Sequence, residues 1–254
     1  MYPVIITALG VGGATVIGAL IGFLFKNQSH KFSDIILSFA AGVMLAAAVV
    51  GLIIPSLDYG ESKIRILVTA AGIMTGAVCL NLVDKLVPHL HKMADGKGEE
   101  AHPENTARLN KVLLFVLAIA IHNLPEGIAA GVSFGTGDVM QAFTVAGGIA
   151  LQNIPEGMVI IAPMIAAGMS RRKTFIIALG TGVVEVVGTF IGYFAVSISN
   201  MILPFALAFA GGTMLYVISD EMIPETHSHG CEREATYSLL VGFVLMLTFD
   251  FLLG

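Results

Sequence analysis

Charge is scarce in this chain: 12% of its 254 residues are Asp, Glu, Lys or Arg, about half the fraction usual in soluble domains. With 56% of residues hydrophobic, a protein built to sit in water is excluded. Cysteine is nearly absent. Cys79 and Cys231 lie far apart and show no Cys-x-x-Cys spacing, which excludes a disulfide framework and a thiolate metal site. Two enzyme signatures are also missing. No Glu-x-x-His pattern of the kind that builds di-iron bundles lies inside an apolar run, and His-Glu-x-x-His occurs nowhere. The 29 glycines come without the lysine or strand pattern of a phosphate cradle. They fall mostly inside apolar runs, where small residues let helices approach closely. No small-residue cleavage site follows the first apolar run, 4–25, so that run is expected to stay in the mature chain as a span.

What is present is a series of apolar runs of spanning length, about 20 residues each. Eight can be drawn, at 4–25, 34–56, 65–87, 112–134, 141–166, 175–197, 201–223 and 236–253. They predict an all-α, polytopic membrane protein, one transmembrane domain over 1–254 with the lipid bilayer as its surroundings. Most connections are short and polar. The exception is 88–111, which carries His89, His91 and His102 with Asp95, Glu99, Glu100 and Glu104 and no apolar periodicity; it reads as a flexible loop. With the N-terminus outside, eleven of the thirteen basic residues fall on inward connections and their flanks, and only Lys63 and Arg65 face outward. That bias predicts both termini outside and the histidine-bearing loop in the cytoplasm.

Polar residues inside the fourth and fifth runs are the next signal. His122-Asn123-Leu124-Pro125-Glu126-Gly127 is echoed by Gln152-Asn153-Ile154-Pro155-Glu156-Gly157. On a helix, positions i and i+4 share a face, so His122 and Glu126 project together with Asn123 on the flank, and Gln152, Asn153 and Glu156 repeat the layout. The prolines lack an N–H, which frees the carbonyls of Ile121 and Leu151, and the asparagines are expected to help satisfy them. If the two runs form a hairpin turning about position 139, His122 lies level with Glu156 and Glu126 with Gln152. The layers are four residues, roughly 6 Å, apart. The following hairpin, centred between 170 and 171, brings Glu185 level with Glu156.

Ionised groups at such depth are costly unless partnered. One imidazole, carboxamides and three carboxylates suit Zn²⁺ and neighbouring divalent transition metals better than sodium. His122, Asn123, Glu126, Gln152, Asn153, Glu156 and Glu185 are therefore the candidate metal ligands. Glu225, His227, His229 and Cys231 form a second polar cluster; it either collects cations leaving the membrane or is simply solvated. Methionines such as Met44 read as packing residues.

The eight spans, the paired motifs, Glu185 and the histidine-bearing loop resemble the ZIP (Zrt-, Irt-like) divalent-metal transporters, in particular their bacterial GufA-like branch. The resemblance implies a 3+2+3 inverted repeat and movement of zinc, or of cadmium, iron or manganese, toward the cytoplasm across a bacterial inner membrane. It implies that His122, Glu126, Gln152 and Glu156 hold a primary ion. A second would be held by Asn123, Asn153, Glu126, Glu156 and Glu185, the first two glutamates bridging. Asn153 departs from the aspartate that bacterial relatives can carry there. Met44 and Asp58 would line the outer entrance. The metal is cargo; neither an organic cofactor nor a nucleic-acid partner is expected, and a homodimer is compatible with the sequence without being required by it. An intramembrane metalloenzyme with a carboxylate-bridged site is the alternative.

Overall fold

A computed structural model describes residues 1–24, 29–59, 63–94, 120–198 and 200–253. In chain order its helices are α1 (Tyr2–Leu24), α2 (His30–Ser56), α3 (Ile64–Ala94), α4 (residues 120–132), α5 (Val139–Ala166, with one non-helical turn at Ile160), α6 (Arg171–Ile198), α7 (Leu203–Thr226) and α8 (Glu232–Leu253). All but α4 are long and apolar enough to cross a membrane, seven in total, and no strand occurs among the described residues. This is a polytopic helical membrane protein. The described part of α4 is shorter than the roughly 20 residues a span needs; positions 112–119 of that expected span lie outside the described residues.

One boundary differs from the sequence reading. The connection expected as a loop over 88–111 starts later, because α3 continues through Pro88 to Ala94. Lack of apolar periodicity does not forbid a helix, and Leu90, Lys92, Met93 and Ala94 are strong helix formers. Positions 95–111 lie outside the described residues.

Local chemistry sets the turns. Asp138 caps α5, its Oδ1 accepting from the N–H groups of Met140 at 2.8 Å and Gln141 at 3.1 Å. Gly137 precedes it at φ 81°, a left-handed conformation that costs glycine nothing. The hairpin between α4 and α5 thus turns where the depth argument needs it.

Prolines shape α2 and α7 in the same way. Both helices widen into π turns, at Ala47–Ile53 and Ile218–Met222, directly before an Ile-Pro pair. A proline has no N–H for the carbonyl four residues back, and its ring crowds that carbonyl. Here the preceding isoleucines reach further: Ile54 N–H donates to Val49 O and Ile223 N–H to Ile218 O, each five residues away. Such turns commonly mark functional sites. In α7 the widened turn carries Asp220 and Glu221.

Glycines fix how the helices pair, and they do so reciprocally. At α1–α5, a Cβ on Gly18 would strike the carbonyl of Ile154, and one on Gly157 that of Thr15. At α4–α6, Gly127 faces the Glu185 carbonyl and Gly188 the Leu124 carbonyl. Gly42 and Gly242 do the same between α2 and α8, and Gly76 and Gly212 between α3 and α7. Gly12 and Gly182 meet each other between α1 and α6. Backbone approach this close is what small residues permit where no hydrophobic effect drives helices together.

The main apolar core runs along the helices, and a smaller buried cluster of Ala19, Ile160, Ile161 and Ala178 lies apart from it. Ala130, Val145, Ile149, Leu52, Leu207 and Met214 are all at most 1% exposed and fill the half nearer the α4–α5 turn. Met44, 1% exposed, belongs to this core as a packing residue. The opposite half, toward the α7–α8 connection, holds a cavity.

Candidate metal site

The seven expected ligands fall into two connected groups. The first surrounds Glu185 of α6, which is fully buried. Its Oε1 accepts from the Thr15 hydroxyl at 2.6 Å and from Asn123 Nδ2, and its Oε2 accepts from Asn153 Nδ2 at 2.7 Å. Asn153 Nδ2 also donates to the Val11 carbonyl at 3.3 Å. The asparagines therefore serve Glu185 and α1, and not the carbonyls freed by Pro125 and Pro155. The reason is register: one residue round from the ligand face, each amide points at the neighbouring helix.

The second group lines a cavity of about 400 Å³. His122, Glu126 and Glu156 stand on its wall with Asp220, Glu221 and Glu225 of α7. Glu126 Oε1 accepts from Gln152 Nε2 at 2.6 Å, the pairing the depth argument predicts. His122 behaves otherwise: its Nε2 lies 2.7 Å from Glu221 Oε1, at ion-pair distance but outside hydrogen-bond alignment. Depth along a hairpin specifies level and not azimuth, so the imidazole could face α7 while remaining level with Glu156.

Among the expected ligands, five buried oxygens are left without a hydrogen-bond partner within the protein: Asn123 Oδ1, Glu126 Oε2, Gln152 Oε1, Asn153 Oδ1 and Glu156 Oε1. All are acceptors, and all come from α4 and α5. Leaving such an atom unpaired costs about 1–3 kcal/mol each. Among the described residues, no three His, Cys, Asp or Glu side chains stand close enough together to hold an ion by themselves. The carboxylates are instead spaced by the amides that hydrogen-bond to them, and a cation drawing on those free oxygens would have both oxygen and imidazole donors at hand.

Two residues were not legible as part of this site. Thr15 looks like any small residue of an apolar span, and only the close α1–α5 approach at Gly18 and Gly157 brings it to Glu185. Glu221 is placed by the π turn before Pro224. Its sequence signals are the acidic pair Asp220-Glu221 near the end of the apolar run 201–223 and the Pro224-Glu225 that follows the run, a Pro-Glu pair like those of the two motifs. Gly157→Ala tests the Thr15 arrangement. The added methyl would meet the Thr15 carbonyl, and overpacking of this kind costs about 1–3 kcal/mol. The expected result is a lower thermal midpoint in detergent, and an unchanged midpoint would show that α1 and α5 do not approach as closely as described.

A multi-span helical bundle with a buried oxygen-and-imidazole cluster, opening through an acidic cavity to one face, defines a membrane transporter of metal cations. The family model described as ZIP Zinc transporter matches residues 89–250, and the chain belongs to that family. It is 41% identical to the zinc transporter GufA of Myxococcus xanthus, over 98% of both chains. Against the zinc transporter ZIPB of Bordetella bronchiseptica it is 38% identical over its whole length and 82% of that protein. With the zinc transporter ZupT of Chlorobaculum parvum it shares 35% identity over 95% of this chain and 94% of the other. Family and relatives are transporters and not enzymes, which leaves the metalloenzyme alternative without support.

Proposed function

We propose that the protein carries Zn²⁺, or a similar divalent metal, toward the cytoplasm through a midplane site between α4, α5 and α6, using His122, Asn123, Glu126, Gln152, Asn153, Glu156 and Glu185. The observation that carries this reading is the set of five unpartnered buried oxygens on the candidate ligands, beside a cavity lined by His122, Glu126 and Glu156. The cavity opens toward the α7–α8 connection, which the distribution of basic residues assigns to the cytoplasm. Both termini then lie outside, in a bacterial inner membrane. Toward the outer face the path is closed by the apolar core around Leu52, Ile149 and Met214. Delivery inward requires that core to part while the cavity closes, an alternation suited to rocking of one helix group against another.

A 3+2+3 inverted repeat of eight spans would supply the two groups. Reciprocal glycine contacts support it: α1–α5 corresponds to α6–α4, α2–α8 to α7–α3, and the Gly12–Gly182 contact falls on the axis between them. The matched π turns before Pro55 and Pro224 in α2 and α7 are a further correspondence.

The direct test is uptake of Zn²⁺ or Cd²⁺ into liposomes containing the purified chain, without nucleotide. Uptake above that of empty vesicles is expected, falling as the medium is acidified, because imidazole and carboxylate must shed protons to bind a metal. Uptake no faster than through bare lipid would remove the transport reading.

A further inference from the structure

The sequence alone left the cluster after α7 open between cation collection and simple solvation. The structure divides it. His227 is occupied within its own connection, its Nδ1 at 2.8 Å from the Ile223 carbonyl and its Nε2 at 3.1 Å from Thr236 Oγ1. His229 instead crosses to α2, where its Nδ1 lies 3.1 Å from Asp34 Oδ1. Asp34 is an unusual residue to find there: its side chain is only 4% exposed, and its Oδ2 is buried with no hydrogen-bond partner within the protein. A second imidazole, that of the exposed His30, stacks on His229 with ring centroids 4.7 Å apart. Around these three groups the helices are held together. Lys31 Nζ pairs with Glu234 at 2.6 Å, and the Ser238 hydroxyl donates to the Ile35 carbonyl at 2.6 Å.

We propose that His30, Asp34 and His229 form a second divalent-cation site, for Zn²⁺ or a closely similar ion, which staples the start of α2 to the α7–α8 connection. Two imidazoles and a carboxylate with water in the fourth position are a common zinc donor set. Bonds of about 2.0–2.1 Å put neighbouring donors of a tetrahedral zinc roughly 3.3 Å apart, close to the 3.1 Å between His229 Nδ1 and Asp34 Oδ1. As they stand the three side chains are not yet close enough together to hold an ion; the exposed His30 completes the site by leaving its stack on His229 and turning its ring onto the ion, and the unpartnered Asp34 oxygen gains a partner when the ion binds. A plain His–Asp hydrogen bond would account for one carboxylate oxygen but not for the other, nor for the second ring.

Position gives the site a consequence. Leu37, one turn along α2 from Asp34, and Glu225, four residues before His229, both line the cavity. An ion bridging α2 and the end of α7 holds the cavity mouth in its present arrangement, in which the cavity is open, and resists the rearrangement by which it closes. Metal accumulating on that side would therefore slow further delivery. This regulatory consequence rests on the transport reading above, whereas binding at the site does not.

The test uses the full chain in detergent micelles, with bound Zn²⁺ counted by equilibrium dialysis for the native protein, His30→Ala and His229→Gln. Each variant is expected to bind one Zn²⁺ fewer per chain. Equal stoichiometry in all three would overturn the site. Removal of the exposed His30 ring takes away only its stack on His229, so its result stands even if the His229 variant is poorly folded. In liposomes, unlabelled Zn²⁺ preloaded inside should slow entry of radioactive Zn²⁺ through the native protein and not through His30→Ala, with equal rates when the interior starts metal-free. Equal slowing in both would overturn the regulatory role. Absence of uptake by any of them would count against transport alone, with the dialysis result still deciding whether the site exists.

Discussion

Glu156→Gln is expected to abolish metal uptake and to leave the protein folded. The carboxylates of the site are not equivalent. Glu185 receives three donors, from Thr15, Asn123 and Asn153, and Glu126 has one oxygen tied to Gln152. Glu156 sits half-buried on the cavity wall with its Oε1 unpartnered, so it is the acid best placed to swing onto an arriving ion and off again. Gln keeps its shape but supplies no charge, and a doubly charged cation stripped of water needs that charge. Stability should not fall, because replacing a buried ionisable group by a neutral one of similar volume is often neutral or stabilising. The checks are uptake into liposomes and thermal unfolding in detergent. Uptake at half the native rate or better, in a protein of native stability, would place the ion elsewhere. Loss of uptake together with unfolding would mean that Glu156 holds the fold and not the cargo.

Legibility in the sequence followed how local each feature is. Span positions were readable because burial in lipid demands continuous apolar runs, and α1, α2, α6 and α8 fall within a few residues of where those runs lie. The Glu126–Gln152 pairing was readable because a hairpin turning at Asp138 leaves little freedom in depth. Direction around the helix axis was not. His122 faces Glu221, and Asn123 and Asn153 face Glu185, because neighbouring helices are set by glycine contacts that hydropathy does not reveal. The closing glycines of the two motifs illustrate the point. Gly127 and Gly157 stand beside metal-capable residues, yet each is explained by the carbonyl of an adjacent helix, that of Glu185 or Thr15. The motif is thus a packing unit as well as a donor set. Thr15 and the π turn bearing Glu221 left only faint traces, a hydroxyl among small residues and a proline one turn later.

Asn153→Asp should make the stability of the protein depend on metal far more strongly than the native chain does. Asn153 is 1% exposed and donates from Nδ2 to Glu185 Oε2 at 2.7 Å and to the Val11 carbonyl at 3.3 Å. An aspartate of the same shape donates nothing when ionised and sets a second negative charge against Glu185. A buried charge stripped of its partner costs about 3–5 kcal/mol, so without metal the variant should unfold well below the native protein. A divalent ion between the two carboxylates removes that repulsion, with Asn123 Oδ1 and Glu126 Oε2 among the unpartnered oxygens able to share it. Ligand present at a thousand times its dissociation constant stabilises the folded state by about 4 kcal/mol, enough to restore most of the loss. The expected readout is a rise in thermal midpoint on adding Zn²⁺ that clearly exceeds the native rise, accompanied by one more bound ion per chain. If Zn²⁺ raised both midpoints equally, position 153 would have no part in holding an ion. Glu185, with its three donors, would then be a group that locks α1, α4 and α5 to α6 and not a ligand. Either outcome assigns a role to the amide that stands second in the Gln152-Asn153-Ile154-Pro155-Glu156-Gly157 motif.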